Sequence, residues 1–322
     1  MAGAKYGLPY LGSKSAIADW VVEHLPRAGT LVDLFCGGCA VTHAAMLSGK
    51  WEHFIANDIH GDVPQLFLDA IEGKYTTENQ TRWISREEFH ARKDEDAYIR
   101  LCWSFKNDGF TYMYGANIET PKHLLHNIVF GSSAKERMLA WRAMRRYLLG
   151  LNEDELQNAL NALGANDKGN DLPTLRRLQR LQRLQSLERL QSLERLQRLE
   201  SLQRLESLQT SDKDYREVEI PPDSVVYCDI PYDCTKDNYG TTFDRQAFLD
   251  WACAQTVPVI VSEYNITDDR FEVLAETNKK QLSAGAAHQK TVTERLYAPK
   301  HQIAEIRRRL DAEKDEQIRL EV

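Results

Sequence analysis

Six residues with a buried-strand character, Thr30-Leu31-Val32-Asp33-Leu34-Phe35, run into a glycine turn. A helical pattern over Ala40 to Leu47 follows, and then a second apolar run, His53-Phe54-Ile55-Ala56. Neighbouring parallel strands cannot be joined by a tight turn and need a crossover, usually a helix, so this order predicts a β-α-β unit and an α/β fold. A further helix pattern, Ser15 to Leu25, precedes it. The same language returns far downstream: the strand run Val225-Val226-Tyr227-Cys228, a helix pattern from Arg245 to Gln255, and the apolar run Val257 to Ser262. One sheet is therefore expected from both parts of the chain, residues 1–75 and 215–322, with the intervening sequence inserted. Arg295-Leu296-Tyr297 reads as a late strand and Ile303 to Val322 as a charged terminal helix.

The insert has two parts. Residues 76–173 are mostly helix-like, polar and rich in Trp, Tyr and Arg, with turn signals at Asn107-Asp108-Gly109 and Gly131-Ser132-Ser133. Residues 174–209 carry leucine at every third position, twelve times from Leu175 to Leu208. An α-helix advances about 100° per residue, so such leucines drift about 60° each and wrap around the helix instead of forming a stripe. A 3₁₀-helix would stack them but rarely runs beyond about four residues, and a strand has period two. A long helical arm is expected, its leucines covered by the protein's own body or by another copy through self-association. Eight arginines against four glutamates make the arm net positive, suited to lie along DNA, although a plain spacer fits as well.

At 322 residues the chain is long enough for a sizeable core and a second unit, and no stretch approaches the roughly 18 apolar residues of a membrane span. With no export leader in its first residues, the cytoplasm is the expected compartment and the six cysteines are expected as thiols. A net charge of −7 runs against a nucleic-acid binder. Local charge runs the other way in two basic stretches, Arg82, Arg86, Arg92, Lys93, Arg100 and Lys106, then Arg137, Arg142, Arg145 and Arg146. Each would also suit a solvated helix face.

Three motifs carry chemistry. Asp33-Leu34-Phe35-Cys36-Gly37-Gly38-Cys39-Ala40 is the strand, glycine turn and helix start used for nucleotide-like cofactors, since glycines let backbone amides approach a ligand. Its Cys-Gly-Gly-Cys spacing also permits a redox or zinc reading, which lacks a second ligand pair at metal-site spacing. Asn57-Asp58 closes the second apolar run, where an acid can accept hydrogen bonds from ribose hydroxyls. The apolar strand ending in Asp229-Ile230-Pro231-Tyr232 is the third. There the Asp229 carboxylate and the Ile230 carbonyl could each accept a hydrogen bond from an exocyclic amine, drawing its nitrogen towards tetrahedral character as a methyl group arrives. Pro231 stiffens the turn, and Tyr232 offers a face on which an extruded base stacks.

In this order the motifs resemble the DNA adenine methyltransferases of the Dam type. Tyr10-Leu11-Gly12-Ser13-Lys14-Ser15 resembles the family's first motif, Phe35-Cys36-Gly37-Gly38 its cofactor loop, Asn57-Asp58 its acidic contact and Asp229 to Tyr232 its Asp-Pro-Pro-Tyr motif. The resemblance implies a Rossmann-like sheet binding S-adenosylmethionine through Tyr10, Lys14, Phe35, Gly37, Gly38, Asp58 and Asp229. It implies catalysis by Asp229, Ile230, Pro231 and Tyr232, without a metal. Val261-Ser262-Glu263-Tyr264-Asn265 sits where the family has the next catalytic strand. The stretch from Trp103 to Gly109 and that from Tyr112 to Lys122 are similar to the insert of phage-type relatives, which makes double-stranded DNA the expected partner and Trp103, Lys106, Asn107, Tyr112 and Lys122 its contacts. These aromatics would equally form the core of a small helical subdomain. Ile230 departs from the family's first proline, keeping the carbonyl but loosening the turn that aims it.

Two other readings compete. Protein-glutamine and RNA-adenine methyltransferases use similar tetrapeptides, and the early lysine motif with the long basic-aromatic insert favours DNA over both. A catalytically weakened or inactive DNA-binding homologue would also carry Ile230.

Overall fold

The computed structural model describes residues 6–74, 82–150, 207–231, 243–281 and 290–321. Tyr232, Cys234 and nearly all of the leucine-triplet tract lie outside the described residues. The chain divides into two compact units, the first comprising Met1–Leu8, Gly12–Ile71 and Ser201–Val322, the second Pro9–Leu11 and Glu72–Glu200.

The first unit begins with a 3₁₀ turn, Lys14–Ala16, and the short helix α1 (Ala18–Glu23). Next come β1 (Thr30–Asp33), α2 (Ala40–Ser48), β2 (His53–Asn57) and α3 (Asp62–Ile71). Among the described residues of the second unit are four helices: α4 (Arg86–Arg92), α5 (Ala97–Cys102), α6 (Ala116–Phe130) and α7 (Ala134–Leu149). The first unit then resumes with β3 (Leu208–Ser211), β4 (Ser224–Cys228), α8 (Arg245–Ala254), β5 (Val259–Glu263), β6 (Phe271–Gln281), β7 (Lys290–Pro299) and α9 (Lys300–Glu321). β3 starts on the last leucine of the triplet tract, so Leu208 and Gln209 are sheet residues. β3 and β6 have no counterpart in the sequence reading.

Among the described residues seven strands form one sheet in the order β3-β2-β1-β4-β5-β7-β6. The first five are parallel, while β7 runs antiparallel to both β5 and β6. β1, β4 and β5 are buried at every position, the mark of central parallel strands covered on both faces. Their side chains Val32, Val226, Cys228, Val259 and Val261 pack with Phe248, Leu249 and Ala252 of α8 in one core cluster. The Rossmann-like α/β arrangement is thus the one expected from the two separated strand-helix-strand runs.

Register decides where chemistry can gather. Asp33, the last residue of β1, pairs with Ala56 of β2 on one side and Tyr227 of β4 on the other. The chain leaves β1 through α2 towards β2 and leaves β4 through α8 towards β5, so the crossovers part between β1 and β4. Ligands of open parallel sheets bind beyond the carboxyl ends of the strands at such a switch point. The loops after β1, β2 and β4, which carry the sequence motifs, all open there.

In the second unit, Ser85, Asp96 and Ser133 cap α4, α5 and α7 by accepting bonds from the amides of Glu88, Ile99 and Glu136. Caps of this kind are worth about 1 kcal/mol each. Leu125 of α6 and Met144 of α7, both fully buried, join these two helices with Trp141 and Leu148 beside them.

Candidate active site

The glycine turn is held by bonds from three directions. The Cys36 amide donates to Asn57 O at 2.9 Å, and Leu34 N donates to Tyr227 O at 3.0 Å, tying the loop to the ends of β2 and β4. Gly37 turns with φ +46°, and its amide donates to Asp58 Oδ2 at 2.9 Å. Cys39 takes φ +56° and starts α2 with no side-chain cap. Asp58 also accepts from the His60 amide at 3.0 Å, so the acid after β2 is aimed at the loop. Buried Asn57 donates to Leu34 O at 3.1 Å and Lys213 O at 3.0 Å, stitching β1 to the segment after β3.

Residues 6–8 press against the outside of this turn. Leu8 N donates to Gly38 O at 2.7 Å, and Gly7 N donates to His43 Nδ1 at 3.0 Å. Gly7 has φ +70°, and a Cβ there would lie 2.4 Å from Gly38 O. Only glycine allows this approach. Burial holds the His43 imidazole at a pKa of about 4, so it is the neutral acceptor that the Gly7 amide needs. Neither Gly7 nor His43 stood out in the sequence; the signal was Gly7 three residues before Tyr10, which reads as an ordinary turn.

At the carboxyl end of β4, Asp229 is one-fifth exposed and accepts a charged hydrogen bond from Lys14 Nζ. Lys14 is only 3% exposed, and its ammonium also lies 3.8 Å from Glu294 Oε1 on β7. The structure therefore brings together Lys14, Gly37, Gly38, Asp58 and Asp229. Tyr10 is half-buried and groups with the second unit. Phe35 makes tilted or edge contacts with Tyr215, Phe243 and Phe248, its ring 5.6–5.7 Å from theirs, and so packs into an aromatic cluster.

Asp33 sits beneath the turn, 2% exposed, with Oδ2 accepting from Thr42 Oγ1 at 2.7 Å. Among the described residues its Oδ1 has no hydrogen-bond partner. Burial chiefly pushes its carboxyl up to about 7, and the nearby charges of Asp229 and Asp58 push the same way against the Thr42 bond. Burial likewise raises the thiols of Cys36 and Cys39, whose sulfurs lie 3.6 Å apart. Among the described residues no three His, Cys, Asp or Glu side chains gather as a metal site.

Ile230 has its side chain in the core cluster, 1% exposed, against residues of β4, β5 and α8. The turn that a proline ring would stiffen is instead anchored by a packed side chain. Beyond the end of β5, a cavity of about 710 Å³ is lined by Arg245, Glu263, Tyr264, Asn265 and Thr267, with Arg245 paired to Glu263 at 2.9 Å.

Within the second unit, Trp103 and Tyr112 are interior residues. Tyr112 donates to Ile84 O at 2.7 Å, and Trp103 meets the edge of Trp83. Asn107 has φ +58° and donates its side chain to Leu101 O at 2.8 Å, which holds the turn. Lys122 is buried near the Tyr114 ring. Lys106 lies in the short 3₁₀ turn Phe105–Asn107. Phe105 and Phe110 beside it are more than half exposed. Of the first basic stretch, Arg82 and Arg92 pair with Glu88 and Arg86 with Glu119. The second, on α7, exposes Arg137, Arg142, Arg145 and Arg146.

Residues 10–137 match the family of D12 class N6 adenine-specific DNA methyltransferases. Over 63 residues the chain is 41% identical to the Type II methyltransferase M2.HphI of Haemophilus parahaemolyticus. That segment is 19% of this chain, and the match spans 18% of the relative's length.

Proposed function

We propose that this chain, which matches the D12 class N6 adenine-specific DNA methyltransferases across residues 10–137, methylates adenine N6 at a specific DNA sequence. The observation that carries this is the ion pair between Lys14 and Asp229, which joins the first motif to the catalytic tetrapeptide at the switch point of the sheet. Methyltransferases of this family use S-adenosylmethionine in general, which when bound supplies a methyl group on a sulfonium centre. The donor set suits it, because Asp58 and Asp229 bring enough negative charge near the glycine turn to add to the burial that raises the Asp33 acid, and the cofactor brings two cationic groups. Gly37 and Gly38 would offer backbone groups to it, Asp58 would accept from its ribose hydroxyls and Lys14 would hold it from the side of Asp229, while Tyr10 is assigned to it by the motif resemblance alone.

Asp229 and the Ile230 carbonyl would accept the two N6 hydrogens and so orient the nitrogen and draw it towards tetrahedral character. Lys14 fixes the Asp229 carboxylate for that task. Double-stranded DNA is met by the second unit. The exposed arginines of α7 suit phosphate contacts, while Trp103, Asn107 and Tyr112 hold the turn from which Phe105 and Phe110 are exposed, with Lys122 buried beside Tyr114. We place the protein in the cytoplasm, and none of its helices among the described residues is long and apolar enough to cross a membrane.

The test incubates the protein with labelled S-adenosylmethionine and unmethylated DNA, then digests the DNA to nucleosides. Label in N6-methyladenine that disappears in Asp229→Ala supports the reading. No label in the wild type or in Ile230→Pro overturns it.

A further inference from the structure

We propose that Glu294, with Ser262, positions Lys14 so that Asp229 stays an effective hydrogen-bond acceptor for the target amine; this deepens, and rests on, the methyltransferase reading. Glu294 and Ser262 are completely buried, on β7 and β5. The Ser262 hydroxyl donates to Glu294 Oε1 at 2.8 Å, and the same oxygen lies 3.8 Å from Lys14 Nζ. Leu296 and Ala298, the alternate residues along β7, are buried apolar side chains on the same face as Glu294. An apolar residue at 294 would serve the sheet at least as well, since burying a carboxylate is costly without a paired charge. A carboxylate there is explained by the ammonium it faces.

Lys14 needs such a partner for two reasons. It stands in a three-residue 3₁₀ turn, with no long helix of its own to set its direction, and its flexible stem has many rotamers to lose. A lone Lys14–Asp229 pair would also spend the full ammonium charge on the carboxylate that has to accept from the substrate. With Glu294 on its other side the ammonium is shared between two anions, so Asp229 keeps part of its accepting strength while Lys14 keeps its aim. Glu294 touches no reacting atom in this scheme and is a positioning residue.

Glu294→Gln preserves shape and the Ser262 bond while removing the charge, and it is compared with wild type in two ways. In steady-state methylation, kcat is expected to fall about tenfold or more with KM for DNA unchanged, the split for a group acting on the reacting centre and not on DNA binding. In the full-length protein with ¹⁵N-labelled lysine, an ammonium held on two carboxylates gives a slowly exchanging ¹⁵Nζ signal, assigned to Lys14 by its loss in Lys14→Arg. Glu294→Gln is expected to shift or broaden that signal. Should Glu294→Gln fail to fold, Ser262→Ala is measured in its place, with the same changes expected. An active wild type with kcat and the Lys14 signal both unmoved by substitution overturns the inference. An inactive wild type overturns the methyltransferase reading instead, and the Lys14 signal then still reports whether Glu294 holds the ammonium.

Discussion

Lys14 and Asp229 stand 215 residues apart in the chain and are joined by a charged hydrogen bond at the carboxyl end of the central strands. Neither residue's local sequence demands the other. A lysine in a turn is usually solvated, and an Asp-x-Pro after a strand is usually a turn. The sheet brings them together, because β1 and β4 are neighbours although the whole insert separates them.

The approach of residues 6–8 to the glycine turn predicts that Gly7→Ala damages the cofactor site. Alanine at φ +70° is strained, and its Cβ would meet Gly38 O and the Ala40 backbone. Affinity for S-adenosylhomocysteine, measured by calorimetry, is expected to weaken roughly tenfold or more, the effect of losing about 1.4 kcal/mol. Gly12→Ala is a useful control, being likewise at positive φ but with nothing near its Cβ position. Equal losses in the two variants would contradict the role given to the contact with Gly38.

Asp33 gives a pH dependence of stability with a definite sign. Its folded pKa, about 7, lies above the ordinary aspartate value of 3.8. Between these values the folded state binds more protons, so the group's favourable contribution is lost as pH rises through about 7. Wild type is expected to lose roughly 2–3 kcal/mol relative to Asp33→Asn between pH 5 and pH 8, read from urea midpoints. Asparagine keeps an acceptor for Thr42, so parallel curves for the two proteins would show that Asp33 is not a buried, proton-binding acid.

His43 acts in the opposite direction. Burial lowers its pKa from 6.5 to about 4, so the unfolded chain binds more protons over that interval and stability falls as pH drops through it. His43→Gln removes the titration and retains an acceptor for the Gly7 amide. Its thermal midpoint is expected to fall less than that of wild type between pH 7 and pH 4.5. The account of His43 as a neutral acceptor fails if wild type is the less acid-sensitive of the two.

Ile230 is expected to matter through its side chain as much as its carbonyl. Ile230→Ala should destabilise the fold by about 2–4 kcal/mol in urea, as large-to-small changes in packed cores do. Ile230→Pro trades that packing for a stiffer turn and is expected to leave methylation no faster than in wild type. A clear rise in kcat with proline would mean that the isoleucine is a defect and not an alternative anchor.

What could be read from the sequence follows from how local each feature is. β1, β4 and β5 announced themselves as apolar runs because a parallel strand covered on both faces has nowhere to put polar side chains. The glycine turn and Asp58 were legible because the turn needs residues that tolerate positive φ and the acid follows a strand end. β3 was hidden because it is short, polar and starts on a leucine that the triplet tract had already claimed. β6, running through Glu276 and Asn278 to Lys280, lacks the apolar run of a central strand and gains its place by pairing with β7. Glu294 was invisible for a deeper reason. A glutamate among Thr291, Thr293 and Arg295 looks like surface, and only the finished sheet turns it towards Lys14. Trp103 and Tyr112 show the reverse, since an aromatic that can stack on a base can equally fill a core, and position in the fold decides which side chains face outward.

The most direct test of the central claim is a double-mutant cycle between Lys14 and Asp229, read as single-turnover methylation of adenine in duplex DNA. Lys14→Met and Asp229→Asn are each expected to slow transfer by about a hundredfold or more, and the double variant to be little slower than the worse single one, because residues that act as a unit are not additive. Fully multiplicative losses would contradict a joint role for the pair, and transfer undiminished in Asp229→Asn would contradict the assignment of the active site itself.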